Sequence, residues 1–139
     1  MTPDPEQVCI RVEVSRGDFA KRRPDGTVDF ISPLPSPFSY GSVEGRMAPD
    51  GDPEDALVVG SSPKRGEVLT LRIYGRVRFI DAGVEDHKWI CGERPPTSLD
   101  LRRIERFFSW YAWAKRLLYW GRRVKGGAQF QGVENFHPQ

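Results

Sequence analysis

Apolar residues in this 139-residue chain come in short runs cut by glycine and proline, and that punctuation limits the fold more than any other feature. Fourteen glycines and twelve prolines make up about a fifth of the chain, which argues against a helix bundle and for many short elements joined by turns. The segment 8–14 alternates, with Val8, Ile10, Val12 and Val14 on one face, as a half-buried strand does. Arg16-Gly17-Asp18 and Pro24-Asp25-Gly26 read as turns. Residues 27–31 fit a short strand, whereas Pro33, Pro35 and Pro37 remove three ladder donors and make that run loop or edge. Ala56-Leu57-Val58-Val59 is the continuous apolar run of a buried strand. After a turn at 61–66 come strand signals at 68–74, interrupted by Gly75 and resumed at Val77, Phe79 and Ile80. A further strand is expected at 88–91. Strands at this spacing suggest an antiparallel barrel or sandwich.

One long helix is visible. Thr97-Ser98-Leu99-Asp100 fits a capping box, in which a hydroxyl and a carboxylate satisfy the first free amides. Leu101, Ile104, Phe107, Phe108, Tyr111, Lys115 and Leu118 then recur at spacings of three and four. Gly121 suits a C-cap, with Arg122 and Arg123 at the favourable end of the dipole. Trp110, Trp113, Tyr119 and Trp120 spread apolar surface round the helix. Core packing is the preferred reading of that excess, and burial against a second copy of the chain is the other. The expectation is one domain over 1–139, mainly β with a flanking helix, and residues 122–139 as a tail.

Composition excludes several classes. No stretch approaches the roughly 18 apolar residues of a membrane span, and the segment MTPDPEQ lacks a basic start and an apolar core, so no secretory signal is expected. Cys9 and Cys91 are too few for a disulfide framework and lack zinc-site spacing, so a reducing cytoplasm is the expected setting. Charge is uneven. Residues 1–93 carry twelve Lys/Arg against sixteen Asp/Glu, and residues 94–125 carry nine against two. The basic segment reads as a solvated helix face, as a phosphate or nucleic-acid surface, or as a partner for the acidic part of another subunit.

Two acidic clusters carry the chemistry. In Asp50-Gly51-Asp52-Pro53-Glu54-Asp55, Gly51 and Pro53 force a sharp turn, so carboxylates two and three residues apart can converge. The second, Asp81-Ala82-Gly83-Val84-Glu85-Asp86-His87-Lys88, lies at the exit of a strand. Oxygen-rich groups of this kind suit hard divalent cations, with Mg²⁺ favoured where phosphate oxygens complete the octahedron. The spacing is not that of an EF-hand, and 64–66 lacks P-loop or dinucleotide glycine spacing. His87 reads as a surface histidine and His137 as part of a polar C-terminus. No Ser-His-Asp or Cys-His pattern is supported.

Together these residues resemble a family, the soluble Mg²⁺-dependent family I inorganic pyrophosphatases. Residues 50–59 look like its signature, D-x-D-P-apolar-D followed by an apolar run. Asp81, Asp86 and Lys88 reproduce its D-x-x-x-x-D-x-K motif, Tyr40-Gly41 its upstream pair, and Phe107-Phe108-Ser109-Trp110-Tyr111 its FF-x-x-Y helix. The likeness covers about 8–115. It implies a five-stranded OB-like barrel with one long C-terminal helix, and hydrolysis of pyrophosphate to two phosphates with several Mg²⁺ ions. By this resemblance Asp50, Asp55, Asp81 and Asp86 bind metal, and Glu13 holds a further ion through water. Asp52 accepts the proton of the attacking water. Lys21, Tyr40, Lys88 and Tyr111 contact phosphate. The expected partners are pyrophosphate and further copies of the chain in a homo-oligomer, with no membrane.

The chain departs from that pattern at four places. Glu54 fills a normally apolar signature position. Phe30 stands where an arginine is expected, Ala112 where a lysine is expected, and Arg23 where a second upstream carboxylate is expected. Lys115, one turn beyond Tyr111, is expected to supply a substitute cation, with Arg46 as the other candidate. Loss of phosphate-binding cations leaves a second reading, a catalytically attenuated homologue that binds metal and a phosphorylated ligand. A nucleic-acid-binding barrel is the third, disfavoured because the aspartates would repel a phosphate backbone.

Overall fold

The computed structural model describes residues 5–18, 20–22, 28–31, 36–48, 51–122 and 127–136, with side chains described at 5–18, 36–48, 51–117 and 127–136. In chain order the elements are β1 (Gln7–Val14), β2 (Ala20–Arg22), β3 (Val28–Ile31), β4 (Ser39–Met47), β5 (Pro53–Val59), β6 (Val68–Asp81), β7 (Val84–Glu85), β8 (Lys88–Gly92), α1 (Ser98–Arg122) and β9 (Ala128–Asn135).

Five strands close on themselves in the order β1-β4-β5-β8-β6, with β6 pairing back to β1. Every junction of the circuit is antiparallel except β5–β8. Closure removes the open edges that an isolated small sheet would expose. Val8, Ile10, Val43, Ala56, Val58, Leu71, Ile73 and Cys91, drawn from all five strands, pack inside. A second cluster lies on the other face of β5, where Leu57 and Val59 meet Val77, Phe79, Ile90 and the helix residues Ile104, Phe108 and Ala112. β5 is therefore buried on both faces, which explains why its sequence is continuously apolar rather than alternating.

The capping box forms as the sequence indicates: the Thr97 amide donates to Asp100 Oδ2 at 2.9 Å, and the Asp100 amide donates to Thr97 Oγ1 at 3.1 Å. Rings on the inner face of α1 lock it to the barrel, with Phe108 6.1 Å from Phe79 and Phe107 5.3 Å from Phe38 between centroids. Aromatic pairs at such separations add to the burial energy. Trp113 and Leu117, one turn apart, are about half exposed. No helix among the described residues is long and apolar enough to cross a membrane.

Three expectations need correction. Gly75 does not end a strand; β6 runs unbroken through it, and a Cβ there would lie 2.3 Å from the Glu134 carbonyl oxygen, so the glycine admits β9 to close range. Residues 122–139 are not wholly a tail, because β9 pairs with β6 from Asp81 to Gly75, buries Ala128 and sets Phe130 6.4 Å from Phe108. Gly121 does not cap the helix, which continues to Arg122.

Candidate active site

Asp55 of β5 stands opposite Lys88 of β8 in the parallel ladder, on the same strand faces that carry Leu57 and Ile90 into the core. The polar cluster thus continues the helix-side core by one residue pair. Lys88 is 4% exposed, and its Nζ lies 2.9 Å from Asp55 Oδ2 and 2.8 Å from Asp86 Oδ2. Burial alone would lower its pKa, but the charges of Asp55 and Asp86 and the bond to Asp86 hold it above the ordinary lysine value.

Tyr40 of β4 joins this pair. Burial raises its phenol well above the usual value, as do the charges of Asp55 and Asp86, and it is hydrogen-bonded to Asp55. Asp55 accepts that bond, so the phenol stays protonated and available as a donor. Tyr40 is seated by a β-bulge, because β1 places Val12 opposite Gly41 but Val14 opposite Tyr40, leaving Glu13 as the inserted residue. Bulges re-aim side chains beside sites of this kind. Gly41 permits the close approach, since a Cβ there would fall 2.0 Å from the Arg11 carbonyl oxygen.

A second ion pair flanks the first. Lys115 of α1 places Nζ 2.5 Å from Asp81 Oδ2, at the end of β6, and 5.1 Å from the centre of the Tyr111 ring. Burial would lower its pKa, yet Tyr111 and Asp81 raise it. Tyr111 also acts electrostatically on Tyr40 and Lys88, so it stands between the two pairs. Lys115 therefore reaches the acidic cluster. Arg46 does not enter these pairs: it is salt-bridged to Glu6 and lies 5.9 Å from the Trp89 ring.

Asp52 is exposed in the hairpin loop between β4 and β5, where its carbonyl accepts the Ala48 amide at 2.7 Å and Gly51 takes φ +87°. Asp50 lies outside the described residues, as do Arg23 and His137. Lys21 is placed by its backbone in β2, paired with Phe30 of β3, and the side chains of both lie outside the described set. Ala112 sits in the helix-side core at 2% exposure. Glu54 points away from its apolar signature role, taking a hydrogen bond from Trp89 Nε1. His87 is not a free surface histidine: its side chain is 19% exposed and Nδ1 accepts the Phe79 amide at 3.0 Å. Burial, then the charge of Arg76, lowers its pKa.

The residues present fit a divalent cation through donor chemistry. Asp55, Asp86 and Asp81 offer oxygen alone, and among the described residues no three acidic, histidine or cysteine groups gather closely enough to hold a metal ion by themselves. Lysine ammoniums occupy the carboxylates in two clusters instead, Lys88 with Asp55 and Asp86, and Lys115 with Asp81. An open array of one or two carboxylates, completed by water and phosphate oxygens, is how Mg²⁺ is commonly held.

Comparison with known proteins identifies the family. The family model described as inorganic pyrophosphatase matches residues 10–132. The inorganic pyrophosphatase of Halalkalibacterium halodurans is 34% identical over 99 residues, covering 66% of this chain and 61% of that protein. That of Saccharolobus solfataricus is 31% identical over 108 residues, covering 72% and 63%. The chain thus spans about three fifths of the length of these relatives. Its fold matches the solved inorganic pyrophosphatases of Thermus thermophilus, at TM-score 0.72, 24% identity and coverage of 97% and 87%, and of Coxiella burnetii, at 0.71, 22%, 97% and 89%. Matched by that family model over residues 10–132, which is most of its length, the chain belongs to the inorganic pyrophosphatase family.

Proposed function

We propose that the chain hydrolyses inorganic pyrophosphate to two phosphates in a reaction that depends on Mg²⁺. The observation that carries this reading is the pair of lysine–carboxylate clusters, Lys88 with Asp55 and Asp86 and Lys115 with Asp81, bracketing Tyr40 and Tyr111. Asp50, Asp55, Asp81 and Asp86, with Glu13 further out, would hold the cations. Bound there, the cations would neutralise the substrate's charge and lower the pKa of water.

The protein groups divide the remaining work. Lys88 and Lys115 release their carboxylates and turn their N–H groups to phosphate oxygens as charge builds on the leaving group. The phenols of Tyr40 and Tyr111 donate to the same anion, and Lys21 contacts phosphate from β2. Asp52, at the hairpin mouth, takes the proton from the attacking water as one P–O bond forms and the bridging P–O bond breaks. Apolar packing behind Leu57, Ile90 and Phe79 keeps bulk water from the rear of the cluster, where the pairs gain strength.

A second reading rests on Ala112. The resemblance sets a lysine there, and this chain buries a methyl group in the core instead. One assay separates the two. Phosphate release from pyrophosphate is followed with Mg²⁺, with EDTA, and in Asp52→Asn. Release that requires Mg²⁺ and is lost in Asp52→Asn supports hydrolysis. No metal-dependent release from folded protein leaves the attenuated, ligand-binding homologue. Half-exposed Trp113 and Leu117 support association of copies through α1, and unpaired Cys9 and Cys91 suit the cytoplasm.

A further inference from the structure

His87 lies between Asp86 and Lys88 of the acidic site, and its side chain enters the β6 ladder at Phe79. Val77 pairs with Lys88, and Ile80 pairs with Glu85, so Phe79 and Asp86 face each other between those points. A regular antiparallel pair at this position would exchange two backbone bonds. One of them is present, since the Asp86 amide donates to the Phe79 carbonyl at 2.9 Å. The other is replaced, because the Phe79 amide donates to the His87 imidazole at 3.0 Å rather than to the Asp86 carbonyl. Phe79 itself is fully buried, so its amide has no alternative partner in water.

We propose that His87 is a positioning residue, whose Nδ1 completes the β6 ladder at Phe79 and so fixes Asp86 and Lys88 toward the cation and phosphate site. The inference rests on the pyrophosphatase reading for its site and on backbone geometry for its mechanism. Residues 86 and 88 share one strand face, and the Lys88–Asp86 contact of 2.8 Å depends on the path of the residue between them. The acceptor at Nδ1 places the ring proton on Nε2, which lies 3.7 Å from Glu85 Oε2. At that distance a neutral imidazole makes no hydrogen bond to Glu85, so the tie between the 81–88 return and β6 at Phe79 rests on the Nδ1 contact. Groups that orient ligating side chains in this way commonly change metal affinity about 10–100-fold when removed.

The test compares wild type, His87→Ala and His87→Asn, since the asparagine carbonyl offers an acceptor near the position of Nδ1 and alanine offers none. Mg²⁺ affinity is measured by calorimetry without pyrophosphate, and amide exchange is followed at Phe79 and Asp86. His87→Ala is expected to bind Mg²⁺ about tenfold more weakly and to exchange faster at both amides, with His87→Asn restoring most of both. Wild-type affinity and exchange in His87→Ala would overturn the proposal. So would equal impairment in the two variants. If His87→Ala does not fold, slow exchange in His87→Asn supports the role and fast exchange overturns it. Failure of wild type to bind Mg²⁺ counts against the pyrophosphatase reading, while the exchange data still decide whether His87 holds the ladder.

Discussion

Lys88 sits directly across the parallel ladder from Asp55 and holds it at 2.9 Å while also reaching Asp86 at 2.8 Å. One ammonium therefore keeps two nearly buried carboxylates together. Removing it leaves like charges facing each other in a poorly solvated place, the costly way to break a buried pair. Lys88→Met is expected to lose about 3–5 kcal/mol of stability in metal-free buffer, read from urea denaturation. Mg²⁺ should recover more stability in this variant than in wild type, because a cation would replace the missing charge. An equal Mg²⁺ effect in both proteins would contradict the shared cation site.

The same cluster sets an alkaline limit. Lys88 has a folded pKa raised above its ordinary value, and so does Tyr40. In each case the stabilising contribution is complete below the unfolded pKa and is lost as pH rises through the folded one. Unfolded values near 10.4 for lysine and 10 for tyrosine place that window above about pH 10. Stability from this cluster should hold from pH 7 to about 10 and decline beyond. Ultraviolet titration of phenolate should show a late-ionising component that Tyr40→Phe removes. Four tyrosines ionising together near pH 10 would count against the buried phenol.

Lys115 lies 2.5 Å from Asp81 and above the Tyr111 ring. If it offsets charge on phosphate, Lys115→Ala should lower kcat about a hundredfold, the scale of losing one preorganised donor. Unchanged turnover in Lys115→Ala would remove it from the site.

Much of this site was legible because its residues are close in sequence. Asp55 directly precedes the apolar run that has to be a strand, and Asp81, Asp86 and Lys88 lie close together on the return from β6 to β8. The capping box at Thr97 and Asp100 was legible for the same reason. β4 was not, since Gly41 and Gly45 break its alternation and its pairing depends on β1. β9 was hidden by Gly132, at φ +110°, and by the register shift that Arg78 and Phe79 make against it. The role of His87 depends on a backbone amide eight residues away. No local pattern signals that.

The helix cap offers a test of fold without chemistry. Thr97 and Asp100 bond reciprocally at the start of α1. Thr97→Ala should cost about 1 kcal/mol and leave turnover unchanged, because Tyr111 and Lys115 lie well along the helix, beyond its first turns. A matching fall in turnover would show that the cap's effect reaches those residues.

Gly41 gives the sharpest steric prediction. Its missing Cβ leaves room for the Arg11 carbonyl oxygen, which a methyl group would approach to 2.0 Å, with further backbone of Arg11 and Val12 within 3.0 Å. Backbone on both strands cannot yield as a flexible side chain does. Gly41→Ala should therefore push β1 from β4 at the bulge that seats Glu13 and Tyr40, costing about 3 kcal/mol. Gly45 on the same strand is the control: its φ of +79° strains an alanine, but nothing lies within 4 Å of the added carbon. Gly45→Ala should cost only about 1 kcal/mol. Urea denaturation of the two variants decides between them, since equal losses would mean that strand conformation, not the close approach of β1, sets the requirement for glycine at 41.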